Sequence, residues 1–233
     1  MCEGCNRSSS TFSRRSLLLG GLSLASAAAL PRFAVAQEQV TPDAALQRLL
    51  DGNARYVAGA GQAADYSANR AARALSQHPI AAILSCSDSR VSPELAFDQG
   101  PGDLFVVRVA GNFVNDDGLA SIEYAVRFLQ TPLIVVLGHS NCGAVDAAIK
   151  VIKEGAELPG HLPEMIRDIK PAAEAAIAKP GDDLLATAVI ENIKRGVARL
   201  ETAEPIVAGL VASGSVKVVG AHYELTTGAI TLV

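Results

Sequence analysis

Cys86-Ser87-Asp88-Ser89-Arg90 and, further along the chain, Gly138-His139-Ser140-Asn141-Cys142-Gly143 offer two thiolates and one imidazole to a single metal ion. Two sulfurs and a nitrogen make a soft, tetrahedral donor set with a fourth position left over, the form of a catalytic zinc site. A structural zinc site is closed by a fourth protein ligand, and none of the right type sits nearby. Asp88 is the obvious carboxylate, but Arg90 two residues on gives it another use, as half of a charged pair that handles a proton. Two lone cysteines in an oxidising compartment can also be read as a disulfide. Against that reading, His139 stands three residues before Cys142 at the end of an apolar, strand-like run. One loop can then aim both side chains at one point, and a disulfide would have no use for the histidine.

The chain has 233 residues, and its first 36 do not read as part of a domain. A polar start leads to Ser13-Arg14-Arg15-Ser16, an apolar run through Leu30, and Ala34-Val35-Ala36 before Gln37, the order of charged region, apolar core and cleavage site in a signal peptide. Paired arginines directly before the apolar run point to twin-arginine export, hence to a periplasmic or otherwise exported protein. The run is shorter than the roughly 20 residues that span a membrane. Cys2 and Cys5 fall in this leader and are assigned no function, so the expected mature domain, residues 37–233, keeps only Cys86 and Cys142. The formal charge of −4 becomes about −7 without the leader's four arginines and Glu3. With no basic face evident, the composition argues against nucleic acid or an anionic membrane as a partner.

Positioning elements can be placed around the two segments. Thr41 to Ala58 carries Leu46, Leu49, Leu50, Tyr56 and Val57 at helical spacing behind a Thr-Pro start, and Ala68 to Gln77 reads as a second helix. Ile80 to Ser85, Leu104 to Val107, Leu133 to Leu137 and Val216 to Val219 are short apolar runs separated mostly by helical patterns. Strands buried on both faces and joined by helices make an α/β fold with a central, mainly parallel sheet flanked by helices. The first helix forms an N-terminal helical arm. Tyr223 to Leu225 and Ala229 to Leu232, around Thr226-Thr227-Gly228, read as a hairpin at the edge. Cys86 and His139 then fall just past the C-terminal ends of two strands, where open α/β sheets place ligands. His78, His161 and His222 lack ligand spacing, Glu191 and Arg195 stand at i,i+4 on a solvated helix face, and Glu123 has no partner that the sequence names.

These residues resemble the β-class carbonic anhydrases, in the plant-type branch. The resemblance is carried by Cys86 to Arg90, Gln99-Pro-Gly-Asp-Leu-Phe-Val-Val-Arg108, Gly111-Asn112, Ser121-Ile-Glu-Tyr124 and Gly138 to Ala144, in that order. It implies that Cys86, His139 and Cys142 bind one zinc ion per chain and that Asp88 and Arg90 form the catalytic dyad. It further implies that the Gly143 N–H lies beside the substrate, that Gln77 hydrogen-bonds bicarbonate, and that Phe105 and Tyr124 line the pocket. Taken without the resemblance, Phe105 and Tyr124 would read as core residues and Gln77 as a polar helix end. A homodimer or larger even oligomer is also implied. Ala110 departs from the larger apolar residue common in that branch.

The activity this implies is reversible hydration of CO2 to bicarbonate and a proton by zinc-bound hydroxide, since zinc brings the pKa of bound water toward neutrality. Hydrolysis of an isostere, COS or CS2, could use the same ligands. A zinc-binding or redox protein without catalysis would leave Asp88 and Arg90 idle. A periplasmic binding protein on an α/β scaffold would leave the metal ligands unexplained.

Overall fold

The computed structural model describes residues 40–61, 65–179 and 181–233. The leader expected over residues 1–36 and the start of the expected domain lie outside the described residues. Helix α1 (Pro42–Val57) begins as its sequence dictates: Thr41 Oγ1 accepts the Ala44 N–H at 3.2 Å, and Pro42 occupies a position whose N–H a helix leaves unpaired. Then follow α2 (Arg70–Arg73), β1 (Ala81–Ser85), α3 (Pro93–Ala96), β2 (Leu104–Arg108), α4 (Asp116–Phe128) and β3 (Leu133–His139). Helices α5 (Gly143–Glu154), α6 (Leu162–Ile177), α7 (Leu184–Glu201) and α8 (Val207–Ala212) make one long crossover to β4 (Lys217–Tyr223), and β5 (Ile230–Leu232) ends the chain.

The sheet order is β2-β1-β3-β4-β5, parallel through β4, with β5 antiparallel to it. Connections leave β1 toward one edge and β3 toward the other, so a crevice opens beyond the C-terminal ends of these two neighbours. Alternate side chains of the two strands feed separate cores, as the two-residue period of a strand requires. Ala82, Leu84, Ile134 and Val136 pack with α4 to α7, whereas Ala81, Ile83, Leu133, Val135 and Leu137 pack with α1 and α3. Cys86 continues the first of these faces.

Helix α7 lies unusually close to the sheet because glycines let it. A Cβ on Gly138 or Gly220 would stand 2.7 Å from Ile193 side-chain atoms, and one on Gly196 would stand 2.9 Å from Val136. Asp183 caps this helix by accepting the Ala186 N–H at 2.8 Å.

Several expectations are corrected. The helix expected from Ala68 to Gln77 is a single turn, because no residue of α2 is buried and Leu75 is 88% exposed; without an apolar face to pack, so short a helix has little to sustain it. Asn69 before it is left-handed, at φ +58°. Burial on both faces holds for β1 and β3, but β2 is an edge strand and half-buried, and β4 is buried only at Val218, Gly220, Ala221 and Tyr223. The first arm of the hairpin is the end of β4 itself, with Gly228 at φ +75° turning the chain into β5. Glu191 pairs with Lys179 at 2.7 Å and Lys194 at 3.9 Å instead of Arg195, since the end of α6 comes within its reach.

Gly138→Ala should lower stability by about 1–3 kcal/mol, the usual cost of overpacking, read as a lower urea midpoint at unchanged slope. An equally stable variant would show that Ile193 can turn aside.

Candidate metal centre

Strand β1 ends one residue before Cys86, which is 4% exposed, and His139, the last residue of β3, is fully buried. The chain turns through Asn141 at φ +54° and enters α5 with Cys142 as its N-cap residue, 1% exposed. This turn folds Cys142 back beside His139. One donor atom from each of Cys86, His139 and Cys142 lies within 4.8 Å of the others.

His139 is prepared for a metal. Its Nδ1–H donates to the Ser140 carbonyl at 2.8 Å, which assigns the lone pair to Nε2, and Nε2 is buried with no hydrogen-bond partner. A buried polar atom left unpaired is costly, and a cation among these three donors removes the cost. Ser140 is itself held: its N–H donates to the Tyr223 carbonyl at 3.0 Å, and its hydroxyl donates to Glu224 and accepts from the Leu225 N–H, both at 3.0 Å.

The two cysteines are free and cannot both ionise unaided. The Cys142 thiol hydrogen-bonded to Cys86, helped by the Gly111 N–H, brings Cys86 down to about 4 against the opposing effect of burial. The same contact, with burial, pushes Cys142 up. Burial disfavours a charged His139, but the Cys86 thiolate and the Ser140 carbonyl outweigh it and raise the ring's pKa. A divalent cation settles both thiolates, and the sulfur and nitrogen donors suit zinc.

Asp88 and Arg90 form a two-pronged pair beside the ligands. Arg90 Nε donates to Oδ1 at 2.9 Å and its Nη2 to Oδ2 at 2.7 Å, while the Arg90 N–H adds a third bond to Oδ1. These bonds hold the Asp88 carboxyl well below the usual carboxylate range despite some burial. Its stabilising contribution is therefore present above that range and lost only as pH falls beneath it. Asp88 Oδ2 stands 3.8 Å from His139 Nε2.

Gly143 begins α5, and a Cβ there would meet nothing within 4 Å, so its backbone faces open space. Phe105 on β2 and Tyr124 on α4 form a tilted aromatic pair at 6.3 Å, which Phe128 extends at 5.4 Å. Gln77 lies exposed ahead of β1 and hydrogen-bonds to no site residue among those described. His78 is exposed beside Ser76, His161 precedes α6, and His222 lies along β4, all outside the ligand set. The clefts of about 560 and 380 Å3 elsewhere on the surface are not lined by the three ligands; a ligand the size of CO2 needs far less room.

Sequence reasoning overlooked the residues that hold the frame. Arg108, at the end of β2, donates to the carbonyls of Cys86, Asp88 and Val91 at 2.9, 2.7 and 2.8 Å. A single guanidinium thus shapes the loop that carries Cys86 and the Asp88–Arg90 pair. An arginine ending an apolar strand was the available signal, but its acceptors are backbone atoms that leave no mark on the residue pattern.

A sequence model described as carbonic anhydrase matches residues 81–230. Carbonic anhydrase 2 of Mycobacterium tuberculosis is 40% identical over 190 residues, covering 80% of this chain and 90% of the relative. The solved Coccomyxa β-carbonic anhydrase in complex with acetazolamide superposes with a TM-score of 0.64 at 30% identity, covering 81% of this chain and 86% of that one. One of two tetrameric β-carbonic anhydrases of Sordaria macrospora gives 0.63 at 26% identity, covering 71% and 86%.

Zinc binding to the metal-stripped protein at pH 7 should release protons, chiefly from the Cys142 thiol, and should weaken as pH is lowered because His139 and Cys142 then hold theirs. Calorimetry in buffers of different ionisation enthalpy checks this; a heat independent of buffer would overturn it.

Proposed function

This chain belongs to the β-class carbonic anhydrases, zinc enzymes that reversibly hydrate CO2 to bicarbonate and a proton, and we propose that Cys86, His139 and Cys142 hold its zinc while Asp88 and Arg90 are its catalytic dyad. The observation that carries this assignment is the geometry of Asp88. Both carboxylate oxygens are engaged by Arg90, beside three buried donors and within 3.8 Å of the orphaned His139 nitrogen. A carboxylate with both oxygens engaged by an arginine would not serve as a fourth ligand, which would leave that position for chemistry.

Cys86, His139 and Cys142 would hold the zinc, which would supply an acidified water at neutral pH. Two thiolates weaken that pull by offsetting the ion's charge, so the protein has to compensate. Asp88, kept ionised, accepts the hydrogen of the attacking O–H and aims the oxygen's lone pair at CO2. Arg90 keeps Asp88 from closing onto the metal. The Gly143 amide, one of those a helix leaves unpaired at its first turn, donates to the substrate. Phe105 and Tyr124 supply the apolar wall. Gln77 binds bicarbonate in the manner of the plant-type branch; its spacing to Cys86 supports this.

We further assign the enzyme to an even oligomer, a homodimer or a pair of dimers. Phe105, Tyr124 and Phe128 run outward from the half-buried edge strand β2, with Tyr124 47% and Phe128 71% exposed. A contiguous aromatic row of this kind suits burial against a second copy, and the Sordaria relatives are tetrameric. Export to the periplasm through a twin-arginine leader over residues 1–36 rests on the sequence pattern around Arg14 and Arg15.

Stopped-flow CO2 hydration by residues 37–233, at pH 7 and pH 8.5 with zinc content measured on the same sample, should show activity at both and about one zinc per chain. Full zinc without hydration would direct attention to COS or CS2. Arg90→Ala should keep its zinc and lose at least about 100-fold in kcat/KM; an active variant would remove the dyad from the mechanism. Phe128→Glu should shift the sedimentation mass toward the monomer, and an unchanged mass would put the interface elsewhere.

A further inference from the structure

We propose that Asn192 is a positioning residue for the metal ligand Cys86, acting through Gly111. The inference rests on Cys86 being a ligand, as assigned above. Cys86 Sγ accepts the Gly111 N–H at 3.2 Å, and the Gly111 carbonyl accepts Asn192 Nδ2 at 2.7 Å. Gly111 is therefore held at both ends, by the sulfur on one side and by helix α7 on the other.

Holding is needed because glycine has no strong preference of its own. Gly111 sits at φ +85°, where only glycine is at ease, and the same residue could equally take a negative φ and swing its N–H off the sulfur. A Cβ at this position would come 2.4 Å from Ile169 Cδ1 and 3.2 Å from Ala144 Cβ, so the turn cannot be stiffened by a larger residue. Within the turn the Asn112 N–H donates to the Val109 carbonyl at 2.9 Å, and Asn192 adds a second restraint on the Gly111 carbonyl from outside it. Asn192 is 4% exposed, and its neighbour Ile193 is seated against Gly138 and Gly220 of the sheet, so the amide is presented from a firmly docked helix.

The consequence falls on the sulfur. An N–H aimed at a thiolate draws off part of its charge and lowers its donation to a bound cation, and it also fixes the direction of the lone pair that remains. Losing Asn192 frees the Gly111 carbonyl and leaves it buried and unpaired; the N–H stands on the preceding peptide, so the change reaches the sulfur through φ and ψ of Gly111 and weakens the N–H to sulfur bond. A purely structural role for Asn192 would lower stability while leaving the electronic character of Cys86 unchanged.

The test uses the full mature chain loaded with cadmium-113 or cobalt(II). In the wild type, the cadmium resonance should couple to the β-protons of Cys86 and, across the hydrogen bond, to the Gly111 amide proton. Coupling to Cys86 without coupling to Gly111 overturns the proposal alone; absence of coupling to Cys86 overturns the ligand assignment beneath it. Asn192→Ala, or the isosteric Asn192→Leu where the alanine variant does not fold, should lose the Gly111 coupling. The same variant should shift the thiolate-to-cobalt charge-transfer band to longer wavelength and release zinc to a chelator about 10- to 100-fold faster. Asn53→Ala serves as the comparison, since Asn53 bonds Ala96, Gly228 and Ile230 in the opposite core; it should lower stability and leave the cobalt band in place. An Asn192 variant whose band and coupling match the wild type overturns the proposal, whatever its stability.

Discussion

Two sulfurs and an imidazole nitrogen, all from buried residues and gathered within 4.8 Å, cannot readily carry their own charge. One thiolate forms at Cys86 at the expense of the other, and His139 Nε2 is left without a partner. A cation among these donors relieves both costs, so metal binding and the packing of this region are linked. The surrounding structure can be understood as what holds the three donors together against that repulsion and leaves one side of the ion free.

Two kinds of restraint do this. The first is topological: β1 and β3 are neighbours whose connections diverge, so their ends open a crevice that brings Cys86 and His139 together and lets α5 start there with Cys142 and Gly143. The second is made of polar groups reaching backbone atoms. Arg108 gathers three carbonyls of the Cys86 loop, Ser140 and Glu224 tie the His139 turn to the end of β4, and Asn192 reaches Gly111. Glycines along the α7 contact make the last of these possible by letting the helix approach the sheet.

Much of this was legible beforehand. The three candidate ligands, which the fold brings together, and the Asp88–Arg90 pair occupy two short segments with a characteristic spacing, and the fully buried strands β1 and β3 announce themselves as unbroken apolar runs. Where reading failed, the deciding interaction lay outside the local pattern. Ala68 to Gln77 has helical composition, but whether it forms a helix depended on having a surface to pack against, and its single turn buries no residue among those described. Glu191 was matched to Arg195 by spacing, whereas Lys179 comes from the end of another helix. The half-buried state of β2 follows from its place at the edge, which its residues alone do not reveal.

By itself the sequence determined the chemistry: which atoms can bind a soft cation, which carboxylate is paired with an arginine, and that the strands are parallel and joined by helices. Those are properties of residue type and short-range spacing. Only the tertiary structure decided how the donors are held, because Arg108, Glu224, Gly111 and Asn192 act on partners up to 84 residues away, several of them backbone atoms common to every residue. A backbone acceptor carries no signature in the amino-acid sequence, so its partner becomes identifiable only once the chain has folded around it.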